Sequence, residues 1–408
     1  MLSARGATTT VSGPAFRHDP VKSVVPGGAA DPASVRWTDE PIVCGYRRLE
    51  HENPRLGGMI PVPVSASPAV VPGIGVVLAT DDGRVRLFDR TLGKVYWERR
   101  MDSSVYASLV VDPGRRHVVV VATSGLVACF DLRGTLVWSA RAGAPVCATP
   151  TILPDTDVLV LATFHGRCVG LRLATGEQVF ERRLPDPWHA AHGGTASYRD
   201  PYASPATTED GNVVVCCAEH VLCLAPDGTE LWRQEVGTGI KASPVALHRT
   251  SEVAVCPVDG RCLFLDSRTG SLAAELFLGT KTTGSPAVSG DVLAVGTQDS
   301  AVTALDTATH GVRWTSRQGG PRSYTSFTVL PSGDFAATTG TGNVMCLRRE
   351  DGRFRWETSQ VLGLPDHEPA MDITPVVGPD GSMYCASYTG VAYHFRFRPA
   401  PEGGPTCR

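Results

Sequence analysis

Three stretches of this chain gather side chains that could hold a ligand or move protons. One carries Trp188, His189 and His192, followed by Gly193, Gly194 and Tyr198. A second carries Asp366, His367 and Glu368, and a third Tyr46, Arg47, Arg48, His51 and Glu52. Imidazole titrates near neutral pH and can act as acid, base or ligand. His189 and His192 have a spacing that suits a metal on a helical turn, but the glycines after them argue for a loop, so no metal site is assigned. Eight further residues share one register, each two positions before a Ser or Thr: Ser65, Tyr106, Cys147, Tyr202, Lys241, Thr283, Tyr324 and Asp372. Two residues earlier again come Asp200, Lys281 and Arg322. Tyrosines there could donate hydrogen bonds or protons, and Lys or Arg could anchor a carboxylate or phosphate. The structural alternative is that the tyrosines pack between neighbouring elements while the charges pair at a solvated mouth.

Positioning these groups falls to a repeat. Closures ending at Trp97, Trp138, Phe180, Trp232, Ala274, Trp314 and Trp356 follow one another in steps of 41, 42, 52, 42, 40 and 42 residues. Each unit opens on Ser/Thr-Pro or a similar pair (Ser67-Pro68, Ser204-Pro205, Ser243-Pro244, Ser285-Pro286, Thr374-Pro375) and continues through short apolar runs such as Val76 to Ala79 and Val85 to Phe88. Gly/Asp turns separate the runs, and the pattern is period two, with no long amphipathic helix. A repeat of about 40 residues made of four short strands is the signature of a β-propeller blade. The last unit, Asp372 to Phe397, lacks its closing strand, whereas Ser34 to Thr38 matches Gly311 to Thr315 with no strands before it. The expected fold is all-β: an eight-bladed propeller over 34–398 whose last blade is closed by this N-terminal strand, with 1–33 and 399–408 flexible.

The repeat resembles that of the quinoprotein-like (PQQ-like) propellers, whose motif runs Ala-x-Asp, then Thr-Gly, then a Trp closure. Ala304-Leu305-Asp306 through Trp314, and Leu265-Asp266 through Thr269-Gly270, are good copies. The resemblance implies the fold. Similar repeats occur in quinone-dependent alcohol dehydrogenases, in the lipoprotein scaffold of outer-membrane protein assembly and in part of the β-alanine-activating enzymes, so it does not choose a function. In the dehydrogenases an adjacent-cysteine disulfide can face the cofactor. Cys216-Cys217 lies in a strand, where neighbours point to opposite faces, and is read as core.

Longer steps mark insertions at Pro41 to Gly58, Leu184 to Asp200 and Val361 to Met371. All join an outer strand to the next inner strand and should crowd one mouth of the central channel. Six of the seven tryptophans occupy the repeat position, and Trp188 alone falls in an insertion. A net charge of −3 gives no basic footprint for nucleic acid. No apolar run reads as a signal or membrane span, and twelve cysteines without zinc spacing suit a reducing cytoplasm. P-loop, GxSxG and HExxH motifs are missing. The favoured reading is a quinone-independent enzyme of a biosynthetic route, with no cofactor, working on an anionic small molecule. Lys241, Tyr202, Tyr324, Asp372, His189 and His367 would do its chemistry, and Tyr106, Trp188, His192, Lys281 and Arg322 would bind the substrate. The alternative is a non-catalytic scaffold for a protein partner, and a quinone-dependent dehydrogenase ranks last.

Overall fold

The computed structural model describes residues 40–53, 57–112, 114, 116–186, 203–321, 326–363, 371 and 373–398. Eight four-stranded antiparallel sheets follow one another, seven of them built in chain order from inner to outer strand, as in Ala69–Val71, Gly75–Ala79, Arg84–Asp89 and Val95–Arg100 of the first blade, while the eighth takes its outer strand from the N-terminal side. The inner strand of the eighth blade, Val376–Val377, packs against that of the first and closes the ring. The two middle strands of each blade are almost wholly buried, whereas outer strands such as Leu136–Arg141 alternate outward polar or apolar residues with an inward tryptophan. Among the described residues no helix is long and apolar enough to cross a membrane.

The repeat's two loudest letters, Trp and Gly, meet across blade seams. Trp97, Trp138, Trp232 and Trp314 each donate an indole N–H to a turn carbonyl of the following blade, at Leu132, Leu173, Ser267 and Arg349, over 2.8–3.1 Å. The same turn offers its glycine to the indole face. Gly270 has φ +72°, and a Cβ there would come within 2.5 Å of the Trp232 ring. Blade five ends on Ala274 instead of an aromatic residue, and the facing turn carries His310 at φ +57° in place of glycine. The freed space takes the imidazole, which packs on Phe264 at 4.4 Å and bonds Glu252 at 3.0 Å.

Inside the ring, the Ser/Thr openings form a second seam device. Backbone N–H groups of Ser108, Thr149, Ser204, Ser243 and Ser285 donate to the hydroxyls of Thr149, Ser204, Ser243, Ser285 and Ser326 in the next blade, at 3.0–3.1 Å. The repeated hydroxyl is thus accounted for by satisfying a buried N–H. At the eighth seam the contact changes, and the Ser67 hydroxyl donates to Thr374 O at 3.2 Å.

An N-terminal strand closes the last blade, as expected, but with residues other than those expected. Ser34 to Thr38 lies outside the described residues, and the strand paired with Val391–Arg396 is Ile42–Arg48, which had been read as part of an insertion. A bulge between Val43 and Gly45 matches the bulge of the other outer strands and sets Gly45 opposite His394, at the tryptophan position. The Ser34 to Thr38 match rests on an indole, and this blade has none at that position. Tyr384 substitutes: its hydroxyl donates to Arg90 O at 2.8 Å, and its ring stacks on the buried His394 at 4.8 Å. What remains of the Pro41–Gly58 insertion is a hairpin, Glu50–Asn53 with Gly58–Pro61.

Candidate functional site

One end of the propeller is built from two kinds of loop. The turn between the second and third strands of a blade hydrogen-bonds the connection entering that blade: Asp81 N–H to Pro63 O, Thr123 to Ser104, Phe164 to Pro145, Val258 to Gly239 and Gln298 to Lys281, at 2.8–2.9 Å. This joins both loops into a single rim. It carries the inner-strand register picked out from sequence, and Tyr106, Lys241 and Lys281 all belong to it. Lys241 and Lys281 are exposed and on neighbouring blades, whereas Tyr106 is half-buried. Tyr202, Tyr324, Asp372, His189, His367, Trp188, His192 and Arg322 lie outside the described residues, as do Asp200, Tyr198, Asp366 and Glu368.

The expected site missed a carboxylate pair on this rim. Asp81 accepts from the Ser65 N–H at 3.1 Å and the Ser65 hydroxyl at 2.8 Å. Burial pushes its carboxyl up to about 6, and the Ser65 bonds recover only part of that shift. Asp82 moves the opposite way. Burial raises it, but hydrogen bonds from Thr80 and the Arg84 N–H, with the Arg84 and Arg86 guanidinium groups, hold it below the usual carboxylate range. His51, from the hairpin, reaches Asp82 at 3.3 Å. Adjacent carboxyls that titrate apart form a proton donor and acceptor side by side. The signal was present: the other second-to-third-strand turns have no Asp-Asp, while blade one reads Thr80-Asp81-Asp82-Gly83.

Elsewhere on the rim the charges are occupied locally. Asp102 pairs with Arg141 at 2.9 Å and Asp259 with Arg261 at 2.7 Å. Asp299 accepts from Thr297 at 2.6 Å and pairs with Arg317 at 2.5 Å, which holds its carboxyl down to about 2. Blade three carries a cavity of about 300 Å³ lined by His165, Arg167, Glu181 and Arg183, and there Arg167 pairs with Glu181 and Arg183 with Asp186.

Cys216 and Cys217 are buried on opposite faces of their strand, in two separate core clusters, as expected from the strand pattern. Among the described residues no group of three His, Cys, Asp or Glu side chains converges as metal ligands.

Comparison with known proteins agrees with this architecture. A protein from Bordetella pertussis, outer membrane protein assembly factor BamB, is 28% identical over 115 residues, a stretch that spans 28% of this chain and only 29% of that protein. The crystal structure of BamB from Moraxella catarrhalis superposes with a TM-score of 0.69 at 16% identity, covering 88% of this chain and 100% of that one. Saccharomyces cerevisiae Sqt1 superposes with a TM-score of 0.70 at 12% identity, over 88% of this chain and 100% of its own. Identities this low establish the shared propeller alone. The family described as outer membrane protein assembly factor BamB matches residues 28–221 and 217–396, nearly the entire ring, and the chain belongs to this PQQ-like propeller family.

Proposed function

We propose that this protein is a non-catalytic binding scaffold that holds a protein partner on the rim carrying Lys241 and Lys281. The observation that carries the reading is the local pairing of rim charges: Asp102, Asp259 and Asp299 each close on a nearby arginine, Arg141, Arg261 and Arg317. Such pairs make a rigid, polar, hydrogen-bonding surface. Membership in a family named for an assembly factor supports the same reading. Two exposed lysines on neighbouring blades would favour an acidic patch on the partner. A reducing, cytoplasmic setting is part of the proposal.

The second reading, an enzyme or binder of an anionic small molecule, rests on Asp81, whose carboxyl changes charge near neutral pH beside Ser65. The two readings separate experimentally. The Lys241→Glu, Lys281→Glu double variant should lose a crosslinked partner retained by the wild type while melting at the same temperature. A metabolite profile altered by Lys241→Ala with Tyr324→Phe, at unchanged protein level, would overturn the scaffold and restore the enzyme.

A further inference from the structure

Away from the rim charges, blades three to five bury a set of thiols that the proposed function does not use: Cys168, Cys216, Cys217, Cys223, Cys256 and Cys262. Two of them are placed unlike the others. In blade five the second and third strands pair Val255 with Leu263, so the next residues across the hairpin, towards its turn, are Cys256 and Cys262. Cross-strand partners project from the same face of a sheet. Both side chains lie in one core cluster with Ala242, Val245, Leu293 and Val295, and the adjacent Cys256 thiol, with burial, pushes the Cys262 thiol well up.

The register also fixes the spacing. In blade two the corresponding pair is Val121 with Val127, and the next pair towards the turn carries the Ala122 N–H to Leu126 O bond. The cysteine pair therefore occupies a non-hydrogen-bonded site, where Cα atoms approach to about 4.5 Å. A disulfide spans Cα separations of roughly 4.4–6.8 Å. The equivalent pairs in other blades are Ala79 with Val85, Ala162 with Cys168 and Gly296 with Val302, so packing at this place does not call for two sulfurs.

We propose that Cys256 and Cys262 are a latent cross-strand disulfide, closed when the chain folds in the presence of a small disulfide oxidant and open when it folds among thiols. The step is ordinary exchange. One cysteine thiolate attacks glutathione disulfide and expels a glutathione thiolate, leaving a mixed disulfide. The second cysteine attacks the protein sulfur of that bond and expels the other glutathione. Two protons leave the cysteines, the protein loses two electrons, and one glutathione disulfide becomes two glutathiones. In the finished ring both sulfurs are sealed from solvent, and the adjacent Cys256 thiol together with burial keeps the Cys262 thiol protonated. Exchange therefore belongs to the unfolded or locally opened chain, and the bond, once closed, preserves a record of the conditions of folding.

The test uses the full chain, unfolded and refolded in oxidised or in reduced glutathione, then alkylated and mapped without reduction. The expected result is a peptide joining Cys256 to Cys262, lighter by two hydrogens, after oxidative refolding only. Oxidised glutathione added to the folded, reduced protein should leave it unlinked. Cys256→Val with Cys262→Val, the pair of blade two, should fold and melt like the reduced protein and give no link. Recovery of both thiols alkylated after oxidative refolding would overturn the proposal. So would a link mapped instead to Cys216, which is within electrostatic reach of Cys256. The wild-type map decides the matter even if the double variant fails to fold.

Discussion

Gly270 and Trp232 illustrate how one chain can encode a packing rule by repetition. A glycine is needed at Gly270 for two separate reasons, its left-handed backbone and the indole 2.5 Å from where a Cβ would stand. His310 satisfies the first requirement at a cost and escapes the second because blade five has no indole to offer. Gly270→Ala should therefore lose ~1–3 kcal/mol in urea unfolding. Adding Trp232→Ala should make the double variant more stable than the sum of the single changes, since only the clash is relieved. Additivity in that cycle would show that the backbone term acts alone. Ser243→Ala makes a complementary case: it strands the buried Ser204 N–H, and ~1–3 kcal/mol should be lost. His394 adds a pH signature. Burial holds its imidazole down to about 4, against the influence of nearby Asp380 and Asp89 and with that of Arg396 and Arg90. A depressed folded-state value means the unfolded chain takes up the proton first, from an ordinary value of about 6.5. Stability supplied by the neutral ring is present above that value and lost as pH falls through 4. His394→Leu should flatten the melting-temperature profile over this window. Asp81 tilts the other way: its raised value costs stability as pH climbs from about 4 towards 6, and Asp81→Asn should remove that slope.

At the scale of elements, most strands were legible because period-two apolar runs and Gly/Asp turns agree with each other. Val302 to Leu305 and Leu126 to Phe130 were read within a residue of the strands Val302–Asp306 and Leu126–Asp131. Closure by an N-terminal strand was legible, but the residues of that strand were not, for a physical reason. Its identity depends on a bulge and on pairing with Val391–Arg396, while its tryptophan position is filled by Gly45 and its hydrogen bond is delegated to Tyr384 on another strand. No local pattern carries that substitution. A chain beginning after Arg48 should melt lower than one beginning at Glu40, and a peptide spanning 40–50 added in excess should restore part of the difference. Equal melting of the two chains would mean that the ring closes without Ile42–Arg48.

Over the whole molecule, blade number and the split eighth blade follow from counting, since each unit can bury its faces only against two neighbours. The candidate site was legible only as a location. The register that singled out Tyr106, Lys241 and Lys281 does place them on one rim, because all blades enter the channel at the same end. It could not reveal that Asp81 is gripped by Ser65 sixteen residues earlier, since that bond depends on how a turn folds over the entering strand.

The direction of the last pairing carries a mechanical consequence. Ile42 lies opposite Arg396 and Arg48 opposite Val391, so the two chain-terminal ends of these strands leave the eighth blade side by side. A load applied through residues 40 and 398 would peel this pair apart one rung at a time, at low force, while the seven uninterrupted blades stay unstressed. Stretched in an optical trap, the ring should first give a small, reversible extension and only then rupture.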